Sequence, residues 1–243
     1  MDLIKKKYIF KILNFFFHEK RHNLKLIEDA AQSLGSYYPD GCHVGRKGQV
    51  GSFSFSAPKI ISTGQGGALI TDDDEIAIKL RRLKDFGRDG GGNDVHNSIG
   101  FNFKFTELQA CIGIEQMKKL PARVARKREI WNKYFESLRD ISEVNLFHHN
   151  LDNTSPWFID CLVEDRSRLI SYLRDHKIGT RVMYPPINEQ AAYDMAGNHS
   201  ISVMIGKKGL WLPSFVQLSD DQIFYITSKI VNFYIVQNFV CFY

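Results

Sequence analysis

Short apolar runs of strand character alternate along this chain with longer windows of helical period, and that alternation confines it to the α/β class. Residues 24–27 close on Glu28 and Asp29, and residues 52–55 and 68–71 are further strand candidates bounded by glycines. Between Asp73 and Phe86 the apolar positions Ile76, Ile78, Leu80 and Leu83 fall in a helical window, with acids ahead of bases and Gly87 as the stop. A second helix is predicted from Thr106 through Leu108, Cys111, Ile112 and Met117, and a third over residues 122–138, with Pro121 between them. Beyond it come a strand at 157–163, a helix at 167–176, a strand at 178–183 closed by Pro185 and Pro186, and a last helix capped by Ser219. The second half therefore reads as a small α+β unit joined to the first by the 122–138 helix. We accordingly divide the chain into residues 1–121 and 122–243.

Composition narrows the class of protein. With 44% apolar and 24% charged residues the chain has a globular rather than a disordered profile. The net charge of +5 suits an anionic small molecule and does not point to nucleic acid. Cys42, Cys111, Cys161 and Cys241 are far apart, without the spacing of a disulfide framework or a zinc site, which fits a reducing cytoplasm. The apolar run at 8–17 is interrupted by Lys11 and Asn14, is too short to span a membrane, and lacks a signal-peptide cleavage pattern. Residues 230–243 read as a terminal helix with a ragged tail.

The segment from Asp29 to Gly67 carries the chemistry. Lys59 follows a strand-like run, among apolar neighbours that would desolvate its amine, lower its pKa and free the lone pair for Schiff-base formation. Read alone, it is more often a solvated surface lysine. Asp29 ends a strand, the place from which α/β enzymes present groups to a crevice, and a buried carboxylate there needs a cationic partner. A protonated pyridine nitrogen would serve, as in pyridoxal phosphate; the bland alternative is a turn or capping acid. Gln32 would share a face with Asp29 if a helix begins there. Ser54 and the run from Thr63 to Gly67 supply a hydroxyl and a flexible backbone, suited to a phosphate pocket or to a tight turn beside one. Gly90, Gly91 and Gly92 read as a mobile loop, and no dinucleotide or P-loop glycine pattern occurs.

One metal motif is present in letters: His18-Glu19-Lys20-Arg21-His22 fits His-Glu-x-x-His. It stands a residue before the strand at 24–27, with two bases inside it and no third ligand at a telling distance. We expect the polar end of a surface helix and no metal.

Taken together, Ile27-Glu28-Asp29-Ala30-Ala31-Gln32, then Phe53-Ser54-Phe55-Ser56-Ala57-Pro58-Lys59, then Thr63-Gly64-Gln65-Gly66-Gly67 resemble the DegT/DnrJ/EryC1/StrS family of sugar aminotransferases. Gly100-Phe101-Asn102-Phe103-Lys104-Phe105 is similar to a family segment rich in aromatic residues, and Leu212-Pro213-Ser214 to a late one, so the resemblance runs in family order over about residues 18–235. It implies the α/β, fold-type I architecture of pyridoxal-phosphate enzymes: a large domain with a mostly parallel sheet and a smaller C-terminal domain, working as a homodimer. It implies that Lys59 binds the cofactor covalently and moves a proton, and that Asp29 holds the pyridinium. Gln32 would face the ring oxygen, Ser54 would hold the phosphate, and Asn102 would reach the phosphate bound by the partner subunit. Relatives that dehydrate sugars carry histidine in place of this lysine, so Lys59 favours transamination. The implied substrates are glutamate and a nucleotide-linked deoxysugar, GDP-4-keto-6-deoxymannose in the perosamine synthase branch, for lipopolysaccharide or glycan synthesis.

Two departures from the family pattern bear on this expectation. Family members carry roughly a hundred more residues ahead of the Glu-Asp segment, including a Gly-Thr turn and a stacking aromatic residue of the cofactor cradle. The alternative reading is thus an inert remnant acting as an interaction protein, or one half of a split enzyme. Lys104 stands where arginine is common, which changes the geometry of phosphate binding. Arg181 and Tyr184 would meet sugar or nucleotide phosphate, or else Arg181 makes a structural ion pair.

Overall fold

A computed structural model describes residue 19 and residues 21–90, 93–193 and 197–240, the side chains of 236–240 excepted. The apolar run at 8–17, the residues 241–243, Gly91 and Gly92, and His18 and Lys20 of the metal-like pentad lie outside the described residues. The chain divides into two compact units, Met1–Leu120 and Pro121–Tyr243.

In the first unit, β1 (Ile27–Asp29), β2 (Val50–Ser54) and β3 (Gly67–Ile70) form a sheet in that order. β1 runs parallel to β2 with Asp29 opposite Ser52, and β3 runs antiparallel to β2 with Gly67 opposite Ser54. The apolar run at 24–27 is mostly approach: only Ile27 of it is strand, and Leu24 and Ile27 are exposed. The parallel step from β1 to β2 is made by a loop, residues 30–49, closed on itself by a Tyr37–His43 bridge and by Val44 N–H donating to Ser36 O at 3.0 Å. The His43 ring accepts Gly35 N–H on Nε2 at 3.0 Å, so its own proton sits on Nδ1 and is donated to Val44 O at 2.6 Å.

Two helices follow, each started by its predicted residue. α1 (Asp74–Lys84) begins after Asp73, whose carboxylate accepts Ile76 N–H at 3.0 Å, and carries acids in its first turn and bases in its last. α2 (Glu107–Lys118) begins with a capping box between Thr106 and Gln109. Neither helix buries a residue.

The second unit starts in α3 (Leu120–Leu138), which takes Pro121 into its first turn, where the missing N–H has no intrahelical partner to lose. Strands β4 (Val144–Leu146), β5 (Ile159–Val163), β6 (Arg181–Val182) and β7 (Gly209–Leu212) make an antiparallel sheet ordered β4-β5-β7-β6. Helices α4 (Arg166–Asp175), α5 (Ser200–Lys208) and α6 (Asp220–Val240) complete the unit. β5 alternates as a half-buried strand should, with Ile159, Cys161 and Val163 inward. Ile130, Tyr134 and Leu138 lie on one face of α3 and join Leu169, Leu173, Ile223 and Ile230 in one apolar core. Within it, Lys127 Nζ donates to Ser214 O at 2.6 Å and Oγ at 3.1 Å, and Tyr134 Oη donates to Pro213 O at 2.9 Å. The turn after β7 is thereby fastened to α3.

Candidate active site

Asp29 closes β1 with its side chain exposed, one oxygen accepting Ala31 N–H at 3.1 Å in an Asx turn. The buried acid of the pair is Glu28, which corrects the expectation of a buried carboxylate at Asp29. The reason is the strand's period of two: neighbours face opposite sides, and only one can point into the unit. Gln32 is exposed on a turn closed by Ser33 N–H to Ala30 O at 2.9 Å, not on the first turn of a helix.

β2 leads directly into the lysine loop. Ser54 Oγ lies 3.1 Å from Ser56 Oγ and accepts Ser56 N–H at 3.4 Å; Lys59 N–H then donates to Ser56 O at 3.0 Å, closing a turn around Pro58. Lys59 is half-buried. Burial pulls its pKa below the ordinary lysine value, opposed by the charge of Asp29, so the fold brings these two residues into electrostatic reach.

The far end of the loop is held tightly. Ile61 is buried, Thr63 N–H donates to Phe55 O at 2.9 Å, and Phe55 N–H donates to Gly66 O at 2.8 Å. Gly66 has φ +129°, and a Cβ there would stand 2.3 Å from the Phe105 ring. Gln109 Nε2 donates to Gln65 O at 2.9 Å. The run from Thr63 to Gly67 is thus a tight turn feeding β3, packed under Phe105 and the start of α2.

Asn102 lies on another loop, pairing through its backbone with Asp85. Flanking bonds from Phe101 N–H to Leu83 O (2.7 Å) and Phe103 N–H to Lys84 O (3.0 Å) fix its place beside the end of α1. Neither Gln32 nor Asn102 is bonded to Asp29, Ser54 or Lys59 among the described residues. Lys104 Nζ sits 3.2 Å from Asp85 Oδ1 and 3.9 Å from the centre of the Phe86 ring, so its charge is engaged inside this loop. Arg88 and Lys104 together hold the Asp85 carboxyl below its ordinary range. In the second unit the Arg181 guanidinium lies 5.5 Å from the Tyr184 ring and 5.4 Å from the Trp211 ring, an aromatic setting, with no ion pair to it among the described residues. Of the metal-like pentad, Glu19 is described and its carboxylate accepts from Gln49 Nε2 at 2.9 Å. Among the described residues no three His, Cys, Asp or Glu side chains gather as a metal site.

Sequence reasoning missed Glu28, Tyr38 and Ser56. A signal for Glu28 was present: the glycines at 41, 45, 48 and 51 expose backbone N–H groups that a buried carboxylate can collect.

A lysine with a partly desolvated amine, a carboxylate at a strand's end whose charge reaches it, and hydroxyls at the loop's start form a donor set that fits pyridoxal phosphate. Comparison with known proteins agrees. Residues 18–231 match the DegT/DnrJ/EryC1/StrS aminotransferase family, and the chain belongs to that family. It is 33% identical over 219 residues to the GDP-perosamine synthase of Escherichia coli O157:H7, covering 88% of this chain and 60% of that one. It is 32% identical to the dTDP-4-amino-4,6-dideoxy-D-glucose transaminase of Shigella dysenteriae, covering 87% and 59%. A solved DegT/DnrJ/EryC1/StrS aminotransferase from Brucella abortus superposes with a TM-score of 0.81 at 30% identity, over 89% of this chain and 59% of that one. The S. venezuelae DesV structure, in complex with a ketimine intermediate, gives 0.81 at 27% identity, over 88% and 59%. The fold is accordingly α/β, in the fold-type I arrangement of pyridoxal-phosphate-dependent enzymes. The chain spans 54–60% of the length of the curated relatives it matches. Among the described residues no helix is long and apolar enough to cross a membrane.

Proposed function

We propose that this chain works as a pyridoxal-phosphate-dependent aminotransferase, moving the amino group of glutamate to a keto group of a nucleotide-linked deoxysugar for lipopolysaccharide or glycan synthesis. GDP-4-keto-6-deoxymannose is the sugar this reading favours, on the similarity to GDP-perosamine synthases from three bacteria. The observation that carries the reading is the Lys59 amine, partly desolvated and within reach of the Asp29 charge. A lowered pKa leaves more of this amine neutral, hence nucleophilic, near neutral pH than an ordinary lysine has.

When bound, pyridoxal phosphate supplies an electron sink. Lys59 would hold the cofactor through its aldehyde, and the Lys59 amine would be the group placed to move a proton there. Asp29 would hold the ring nitrogen, Ser54 would hold the phosphate through its hydroxyl, and Gln32 would face the ring oxygen. Asn102 would serve the phosphate held by the partner subunit of a cytoplasmic homodimer.

The test is the absorption spectrum of the purified chain with added pyridoxal phosphate, beside Lys59→Ala. The expected result is a band of lysine-bound cofactor in the unmutated chain only, bleached by glutamate. The same spectrum from both proteins overturns the reading.

A further inference from the structure

Glu28 has no role in the reading above, yet among the described residues it is the best-bonded carboxylate of the first unit. It is 9% exposed. One oxygen accepts Gly45 N–H at 2.8 Å and the Tyr38 hydroxyl; the other accepts Gly48 N–H at 2.6 Å and Lys47 N–H. Burial opposes its ionisation, but the bonds from Tyr38, Gly48, Gly45 and Lys47 outweigh it and hold its pKa below the ordinary value.

Those donors all belong to the loop between β1 and β2, and the loop in turn presses on β2. A Cβ at Gly51 would stand 1.9 Å from Gly45 O, and one at Gly45, where φ is +97°, would stand 2.7 Å from the Phe53 ring. The loop thus grips Glu28 while seated on Gly51 and Phe53. β1 itself is three residues long and, among the described residues, pairs along one edge, with β2. So short a strand has little of its own to hold it in place. Its last residue, one step beyond Glu28 and on the opposite face, is Asp29.

We propose that Glu28 is a positioning residue: gripped by the loop at residues 38–48, its carboxylate sets the place of β1 and so of Asp29, at the strand's end opposite Ser52 of the strand that leads into the lysine loop. The purpose of that arrangement rests on the cofactor reading of the Asp29–Lys59 pair; the arrangement itself does not need cofactor.

The test is the titration of Lys59 in the cofactor-free chain, followed by NMR of the reductively ¹³C-methylated protein, with Lys59→Arg assigning the signal. Asp29 raises the affinity of this amine for its proton, so Asp29→Asn lowers the Lys59 pKa, by about half a unit or more. Glu28→Gln keeps the shape but turns an N–H donor toward the loop's own donors. It is expected to lower the Lys59 pKa in the same direction, and the double variant to fall no further than Asp29→Asn alone. Tyr38→Phe, which leaves the three backbone donors in place, gives a smaller drop of the same sign if Glu28→Gln does not fold. A folded Glu28→Gln or Tyr38→Phe chain with unchanged Lys59 titration overturns the proposal, even where its stability falls, because a merely structural role lowers stability and leaves this titration alone. Failure of the cofactor reading shows separately, as a chain whose Lys59 titrates with Asp29 but captures no pyridoxal phosphate.

Discussion

The two units are held together by different means. The second packs Ile130, Tyr134, Leu138, Leu169, Leu173, Ile223 and Ile230 with the inward side chains of β4, β5 and β7 into one apolar cluster. The first buries Ala30, Val50, Phe53 and Ile61 among its described residues, and leaves Ile99, Phe103 and Leu108 exposed. What orders it is polar: the Glu28 carboxylate in its loop, the Thr63 and Gln109 bonds around the lysine loop, and the paired backbone beside Asn102. The difference assigns labour. Apolar burial gives bulk stability without direction, whereas hydrogen bonds are directional and fix where a side chain stands. The proposed catalytic residues, Asp29 and Lys59, are in the unit built the second way.

The comparison can be broken most easily from the core side. Leu169 has no exposed surface, so Leu169→Ala is expected to cost about 2–5 kcal/mol, read as faster amide exchange at β5 and β7. A cost near zero would mean that the cluster does not carry the second unit. Lys127 sharpens the contrast, being a charge inside that apolar unit and 5% exposed. Desolvation, against the pull of Asp160, lowers its pKa from the ordinary 10.5 to about 8. Between those values the unfolded chain holds a proton that the folded chain has released, so stability rises with pH across that window. The gain is on the order of 3 kcal/mol, seen as a rising denaturant midpoint. Lys127→Met is expected to abolish the rise, and an unchanged slope in that variant would remove Lys127 as its source. The smallest effect belongs to the first unit: Thr106→Ala loses the capping box of α2 at a cost of about 1 kcal/mol, read as faster amide exchange in the first turn of α2.

Much of this was readable in order along the chain. Asp73, Thr106 and Ser219 start their helices as expected, because a cap acts on an N–H two or three residues away. β2 and β3 fall within two residues of their predicted bounds, with a glycine at or beside the start of each. β4 and α5 were not foreseen: β4 has three residues, too few to display a period, and α5 shows no buried face. The proposed catalytic pair was legible from motif and position; its surroundings were not.

The sequence by itself determined the α/β class, the helix starts, the order of motifs that marks the family, and the lysine and aspartate proposed for the centre of its chemistry. These depend on periodicity, on contacts a few residues long and on residue identity. The tertiary structure alone decided that Glu28 is the buried acid and Asp29 the exposed one, that Gln32 stands on a turn, and that Lys104 is spent on Asp85 and Phe86. The Glu28 and Lys104 outcomes turn on partners 10 to 20 residues away, and no local pattern states which of two adjacent acids a distant loop will close upon.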